Sequence, residues 1–411
     1  MKKSKSVSLA ILIIFAAMLS TVISCESPPY NNDASEPFMH ERMYFLSDDA
    51  GIPPDQELLA ILEGALNEQD IPALQLSLRQ HSEILFSAAI GSSTLKRTDH
   101  IDRETMFRIA SISKLFTAVL IMDLVEEGLI SLEDTLDIWL PDFPRAAEMT
   151  VEDLLNHHAG APEPLTVGRA LFTSGLFPRR NWNREELLDI LADGERRAAE
   201  SGTFSYSNGG YILLAVIAEE ASGVGFDQLL ESRIFSRFQA GSLTVLPLND
   251  DTVPPQLIPG IDRDLMPWRN IHRPEHRSWA SLAWSSGALA GSADDLTAFM
   301  DALMSGKIID GKSLERMERY LETGGSIGEW ISGYGLGIAE YEIAGRRFIC
   351  HPGLFIGFQG LLLFEPTTGI SIALLGNASS FDAEGILEQL ILSDWYRGLQ
   401  PGSSAEETAG I

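Results

Sequence analysis

The sequence predicts a mixed α/β (α+β) fold, with a sheet assembled from both ends of the chain and a helical region inserted between them. Three observations predict it. Alternating or apolar runs of strand length occur early, at 73–78 and 84–90, and again late, at 335–343, 347–351, 357–364 and 370–375. Stretches with apolar residues at helical spacing fill the middle, at 111–128, 151–158, 184–193, 208–222, 226–233 and 294–305. Loops bearing Pro and Gly separate them, the longest near 240–280. Strands grouped on either side of a helical middle fit one sheet closed by the two ends of the chain.

The chain opens on Met1-Lys2-Lys3-Ser4-Lys5, a basic stretch, followed by uncharged and mostly apolar sequence from Val7 to Ile23. Val22-Ile23-Ser24-Cys25 then resembles a bacterial lipobox, in which an aliphatic and a small residue precede the cysteine that takes a lipid. Residues 1–24 are therefore expected to be a lipoprotein signal peptide. Cys25 is the expected lipidation site, and the protein is expected to be exported and held at a bacterial membrane, facing the periplasm or the outside. The alternative is an uncleaved membrane anchor, since roughly 18 apolar residues just span a bilayer. Residues 25–53, rich in Pro, Ser, Asn and Asp, read as a tether. The folded domain is expected over 54–397. It starts with a helix at 56–69, where Leu58, Leu59, Ile61, Leu62 and Leu66 share a face, and continues as a hairpin about Gln80-His81-Ser82. It ends with a helix at 384–397, and 398–411 form a polar tail.

The 411 residues include 30 basic and 58 acidic ones, a formal charge of −28, and loss of Lys2, Lys3 and Lys5 with the leader takes it to −31. Such a surface repels nucleic-acid phosphate, so no nucleic-acid partner is expected. Hydrophobic residues make up 45% and charged ones 21%, a globular composition. With Cys25 assigned to a lipid, Cys350 has no disulfide partner and reads as a small buried apolar residue. No H-E-x-x-H and no paired C-x-x-C occurs.

Three short segments carry chemistry. Phe107-Arg108-Ile109-Ala110-Ser111-Ile112-Ser113-Lys114 leads into an apolar helix. Ser111 would stand at its start, where unpaired N–H groups and the positive end of the dipole favour an alkoxide. Lys114, three residues on, shares its face, and a partly desolvated amine can take the serine proton. The plainer reading of Ser111 is a capping serine, and Ser93-Thr94-Leu95-Lys96 repeats the spacing without a helix behind it. Next, Tyr206-Ser207-Asn208 precedes another apolar helix. A phenol relays protons if a cation lowers its pKa, and an amide can hold a substrate peptide bond. The alternatives are a core tyrosine and a capping asparagine. Last, His351-Pro352-Gly353 follows an apolar strand. Its glycine could admit a ligand backbone and its histidine could donate to a substrate carbonyl, or the three could be a simple bend. His157 and His158 lack a third ligand at suitable spacing and read as packing residues at a helix end.

The ordered set Ser111-x-x-Lys114, Tyr206-Ser207-Asn208 and His351-x-Gly353 resembles the serine β-lactamase and penicillin-binding family, above all its class C-like branch. Leu154-Leu155-Asn156-His157-His158-Ala159-Gly160, Ser286-Gly287-Ala288-Leu289-Ala290-Gly291-Ser292 and Tyr334-Gly335-Leu336-Gly337 look like further segments of that branch. The resemblance spans roughly 55–397. It implies a five-stranded antiparallel sheet with helices on both faces, a mainly helical subdomain, and a site between the two. It implies Ser111 as nucleophile, Lys114 and Tyr206 as proton carriers, and Asn208, His351 and Gly353 as substrate-binding residues. The N–H groups of Ser111 and Leu354 would form the oxyanion hole, and no metal or cofactor is called for. The expected partner is a small ester, peptide or β-lactam-like molecule, with the membrane engaged through the lipid. Class C enzymes carry Lys-Thr-Gly where this chain has His-Pro-Gly, and Pro352 has no hydroxyl to hold a substrate carboxylate. An esterase or amidase on a small acyl substrate therefore ranks first, a D,D-peptidase or D-aminopeptidase second, and a β-lactamase third. A catalytically silent lipoprotein that binds peptidoglycan or a β-lactam is the non-enzyme alternative.

Overall fold

The chain first turns back on itself at His81 and Ser82, whose backbones are both left-handed (φ 47° and 70°). Two such residues match the twist of the strands they join, here Ala73–Gln80 and Glu83–Gly91. The computed structural model describes residues 45–46 and 55–399, apart from 94–98, 196–197, 239, 247, 249–251, 263–270, 326 and 328–329. The expected leader, Cys25, most of the tether, the tail from 400 and Lys96 of the second Ser-x-x-Lys lie outside the described residues.

The strands are β1 (Phe45–Leu46), β2 (Ala73–Gln80), β3 (Glu83–Gly91), β4 (Phe107–Arg108), β5 (Thr244–Val245), β6 (Gly260–Ile261), β7 (Ile271–His272), β8 (Leu289–Gly291), β9 (Ile331–Tyr334), β10 (Ala339–Ile343), β11 (Arg346–Phe355), β12 (Phe358–Glu365) and β13 (Ile370–Gly376). Eight form one antiparallel sheet in the order β1-β3-β2-β13-β12-β11-β10-β9. The central seam pairs β2 with β13, Leu76 opposite Leu374, so the sheet is indeed closed by the two ends of the chain. The implied count of five is too low. β1 adds two residues from the stretch assigned to the tether, and β9 and β10 widen the other edge. The run expected as one strand over 335–343 is interrupted at Gly335–Gly337. There Gly337 is left-handed (φ 80°), and a Cβ would come within 2.2 Å of the Ala118 Cβ.

Alternation along each strand divides the core in two. Leu74, Leu76, Leu363, Ile372 and Leu374 pack with Leu58, Leu62, Ile386 and Leu390 of the terminal helices Gln56–Glu68 and Ala383–Leu392. Ala73, Leu362, Ala373 and Leu375 join the second cluster, with the helical region. The end helix expected over 384–397 is two helices. Ser393 is extended, and its hydroxyl accepts from the Tyr396 N–H to cap Asp394–Arg397.

On the helical side, Ser113–Glu126 is buried from Ser113 to Leu124, as befits a helix apolar on every face. Asn208–Ser222 starts and stops as expected, capped by the Ser207 hydroxyl on the Gly210 N–H and closed by left-handed Gly223. Three short helices, Gly168–Leu176, Ser278–Ala283 and Gly311–Met317, fall where loops were expected, too brief for a period to show.

His351-Pro352-Gly353 is no bend but the interior of β11. Pairing with β10 ends at Ala339 opposite Cys350, so the missing Pro352 N–H falls beyond the reach of that partner. Gly353 does not await a ligand backbone. A Cβ there would lie 2.4 Å from the Ile109 carbonyl oxygen and 3.3 Å from the Ala110 Cβ, so the close approach is by the chain's own Ser111 turn. Gly353→Ala should lower stability by about 1–3 kcal/mol, the usual range for overpacking, and should lower turnover with it. Gly64→Ala, in open space on a helix, should raise stability by about 0.5–1 kcal/mol. Chemical denaturation of both variants checks the pair.

Candidate active site

β4 runs into a tight 3-10 turn, Ala110–Ile112, before the helix Ser113–Glu126 begins. Ala110 is left-handed (φ 53°), a conformation that costs a residue with a Cβ roughly 1–2 kcal/mol. The Ile109 N–H is held by the Leu289 carbonyl at 3.0 Å, and Ala110 and Ile112 are buried. Ser111 alone in the turn stays half-exposed.

Lys114 is fully buried. Its Nζ donates to Ser111 Oγ at 3.2 Å, to Asn208 Oδ1 at 2.7 Å and to the Ser286 carbonyl at 2.9 Å. All three acceptors are uncharged. Burial pushes the amine down to about 7, and the Glu163 carboxylate pulls it part of the way back. Near neutral pH much of Lys114 is therefore a free amine, one hydrogen bond from the serine hydroxyl.

Tyr206 completes the trio. Its hydroxyl interacts with Ser111, and its ring centroid is 4.8 Å from Lys114 Nζ. The nearby cation does not lower its pKa. Burial dominates and raises it, so Tyr206 stays a neutral phenol that can pass a proton but does not rest as a phenolate.

Asn208, expected to hold substrate, is engaged at both ends. Its Oδ1 accepts from Lys114, and its Nδ2 donates to both Glu163 carboxylate oxygens at 3.2 Å. The Asn208 backbone N–H also donates to Glu163 Oε2 at 2.7 Å. Glu163 was missed in the sequence because it sits between two prolines in a loop with no periodicity. Its one local signal is capping, since it accepts from the Leu165 N–H at 3.0 Å.

His351 is also placed differently from its expected role. The ring is buried, with Nε2 3.0 Å from the Tyr334 hydroxyl and Nδ1 2.7 Å from the Pro352 carbonyl. Burial pushes it down to about 3, so it is neutral, and with both nitrogens engaged it is a wall behind the site rather than a donor to substrate. His157 belongs to the same wall. Its Nδ1 accepts from the Ser207 N–H at 3.3 Å, its carbonyl accepts from the Ser205 N–H at 2.8 Å, and its ring lies 4.3 Å from that of Tyr206. Burial holds it neutral as well. His158 folds onto Asn156, 3.0 Å from Nδ1 to Oδ1, and Cys350 is a buried free thiol.

Ser111 and Leu354, the implied oxyanion pair, line one cavity together with Asn208 and Ser286. The arrangement offers a hydroxyl, a base beside it, a neutral phenol and a shaped space in front, which are the parts of a nucleophilic acyl-transfer site.

The family model for Beta-lactamase matches residues 58–392. The chain belongs to that family. Among its Beta-lactamase-family relatives are Esterase EstB of Burkholderia gladioli, 29% identical over 40% of this chain and 44% of its own length, and the D-aminopeptidase of Brucella anthropi, 25% identical over 70% and 52%. The chain spans about half the length of these curated relatives. A D-stereospecific amidohydrolase from Streptomyces shares the fold, with a TM-score of 0.70 at 22% identity, covering 82% of this chain and 98% of that one. The mixed sheet-and-helix architecture is thus the β-lactamase and transpeptidase fold.

A Lys114 that takes the serine proton does so as the neutral amine, and kcat/KM would then rise with pH through about 7. Glu163→Gln keeps the shape and an acceptor for Asn208 but removes the charge that favours the Lys114 ammonium. Its acid limb should move to lower pH. A limb that stays in place would separate Glu163 from Lys114.

Proposed function

We propose that the chain is an exported, lipid-anchored serine hydrolase that cleaves an ester or amide through an acyl-enzyme at Ser111. The observation that carries this is the buried amine of Lys114, 3.2 Å from Ser111 Oγ and facing only neutral acceptors. Lys114 takes the Ser111 proton as Oγ bonds to the substrate carbonyl carbon. The carbonyl bond re-forms, and the bond to the leaving oxygen or nitrogen breaks, its electron pair going with the leaving atom. That atom receives the proton through Lys114 or Tyr206. Water repeats the sequence at the acyl-enzyme, releasing the acid and returning the proton to Oγ. General-base help of this kind is typically worth about 10²–10⁴ in rate, and each oxyanion donor about 3–4 kcal/mol.

The esterase among the relatives supports an ester substrate, and the D-aminopeptidase supports a second reading, an amide of a D-amino acid. Pro352 brings no hydroxyl for a substrate carboxylate, which counts against efficient β-lactam hydrolysis. A silent binding protein would have no use for a dry amine set against a serine. Ser111→Ala should abolish turnover of a p-nitrophenyl ester and labelling by a fluorophosphonate. Equal rates in wild type and variant would refute the nucleophile.

The anchor rests on Val22-Ile23-Ser24-Cys25 behind an uncharged apolar stretch. In a bacterial host fed labelled palmitate, wild type should incorporate lipid and Cys25→Ser should not. Equal labelling of the two would rule Cys25 out.

A further inference from the structure

The cavity at Ser111 has a volume of about 180 Å³. Leu165 lines it, as do Trp279 and Leu282 of the helix Ser278–Ala283, and Leu354, Phe355 and Ile356. Trp279 and Leu282 are buried and so fixed by packing, whereas Leu165 and Leu354 are exposed. Among the described residues, none that lines the cavity carries a charge. An apolar cavity of about 150 Å³ stays dry and takes a benzene ring. A space of this size and character therefore accepts a phenyl ring or a short alkyl chain, and offers a carboxylate no charged partner among the described residues; its one spare buried donor is Trp279 Nε1.

We propose that this cavity is an acyl pocket, and that the substrate is an ester or amide whose carbonyl bears an uncharged aryl or short alkyl group. The assignment to the acyl side follows from the chemistry. The acyl group stays bonded to Ser111 Oγ until water arrives, so an apolar recess beside Oγ suits the part that remains. The side vacated by the leaving group must admit water. This rests on the serine-hydrolase reading and adds the substrate class to it.

The test uses kcat/KM of the full chain for p-nitrophenyl acetate, butanoate, hexanoate and phenylacetate, for the mono-p-nitrophenyl ester of adipic acid, and for alkyl acetates from ethyl to hexyl. Burial of one methylene at about 0.8 kcal/mol predicts about a fourfold gain per added carbon along the acyl series until the pocket fills. The alkyl acetates should stay flat. Hexanoate should exceed the equally long, anionic adipate at least tenfold. Leu165→Arg, at an exposed position that tolerates the change, should raise the adipate-to-hexanoate ratio at least tenfold. A flat acyl series with Ser111-dependent turnover, a steeper alkyl acetate series, or a ratio unmoved by Leu165→Arg overturns the acyl pocket and leaves the hydrolase standing. No Ser111-dependent turnover of any ester overturns both.

Discussion

The amine of Lys114, held dry between the Ser111 turn and the Tyr206–Asn208 segment, is the constraint on which the rest of the site depends. Lowering it from its ordinary value of 10.5 to about 7 corresponds to a preference on the order of 5 kcal/mol for the neutral form over the ammonium. Only a closed environment achieves this. The helix Ser113–Glu126 must be apolar all round to carry the lysine inward, and His157, Tyr334 and His351 must be neutral to wall it in. Each is neutral because it too is buried. Among the described residues the carboxylate that acts on the amine is Glu163, and it is kept one residue away by Asn208, which contacts the amine with one end of its amide and the carboxylate with the other. Charge reaches Lys114 through that amide without forming the ion pair that would lock it as an ammonium.

Strain and close packing serve the same end. Ala110 takes a left-handed conformation, Gly353 lies against the Ile109 carbonyl, and Gly337 lies against Ala118. One strand, at Gly353, and the link between two others, at Gly337, therefore press on the Ser111 turn and the helix behind it and set where Ser111 can stand. Gly209, where a Cβ would sit 1.9 Å from the Pro162 carbonyl oxygen, seats the Asn208 helix against the loop that carries Glu163. These glycines mark places where backbones meet, which is a different use from admitting a ligand.

What the sequence made legible follows from the range of the forces involved. Asn208–Ser222 and the hairpin at His81-Ser82 are local structures with their signals at their own ends, a capping serine and a closing glycine in one case and a two-residue turn in the other. The motif spacing placed Ser111, Lys114 and Tyr206 together because they lie on segments whose local chemistry points one way. The inward turn of His351, the use of Asn208 as a clamp on Lys114 and the reach of Glu163 all depend on elements distant in sequence. Asn208 and Glu163 are 45 residues apart, and no periodicity in either segment records their meeting. The extra strands at the sheet edges were hidden for a related reason. β1 and β9 are too short to show alternation and exist because a neighbour offers an open edge.

The seam that pairs β2 with β13 has a consequence for how the molecule comes into being. Leu76 finds its neighbour nearly 300 positions later, at Leu374, and Ala73 donates its N–H to the side chain of Asn377. Almost the entire polypeptide must leave the ribosome before the middle of the sheet can close. Contacts of such long range make folding slow, and until the last strand arrives the early hairpin and the apolar helices have no complete surface to rest on. The central seam is thus among the last parts of the sheet that can form during synthesis.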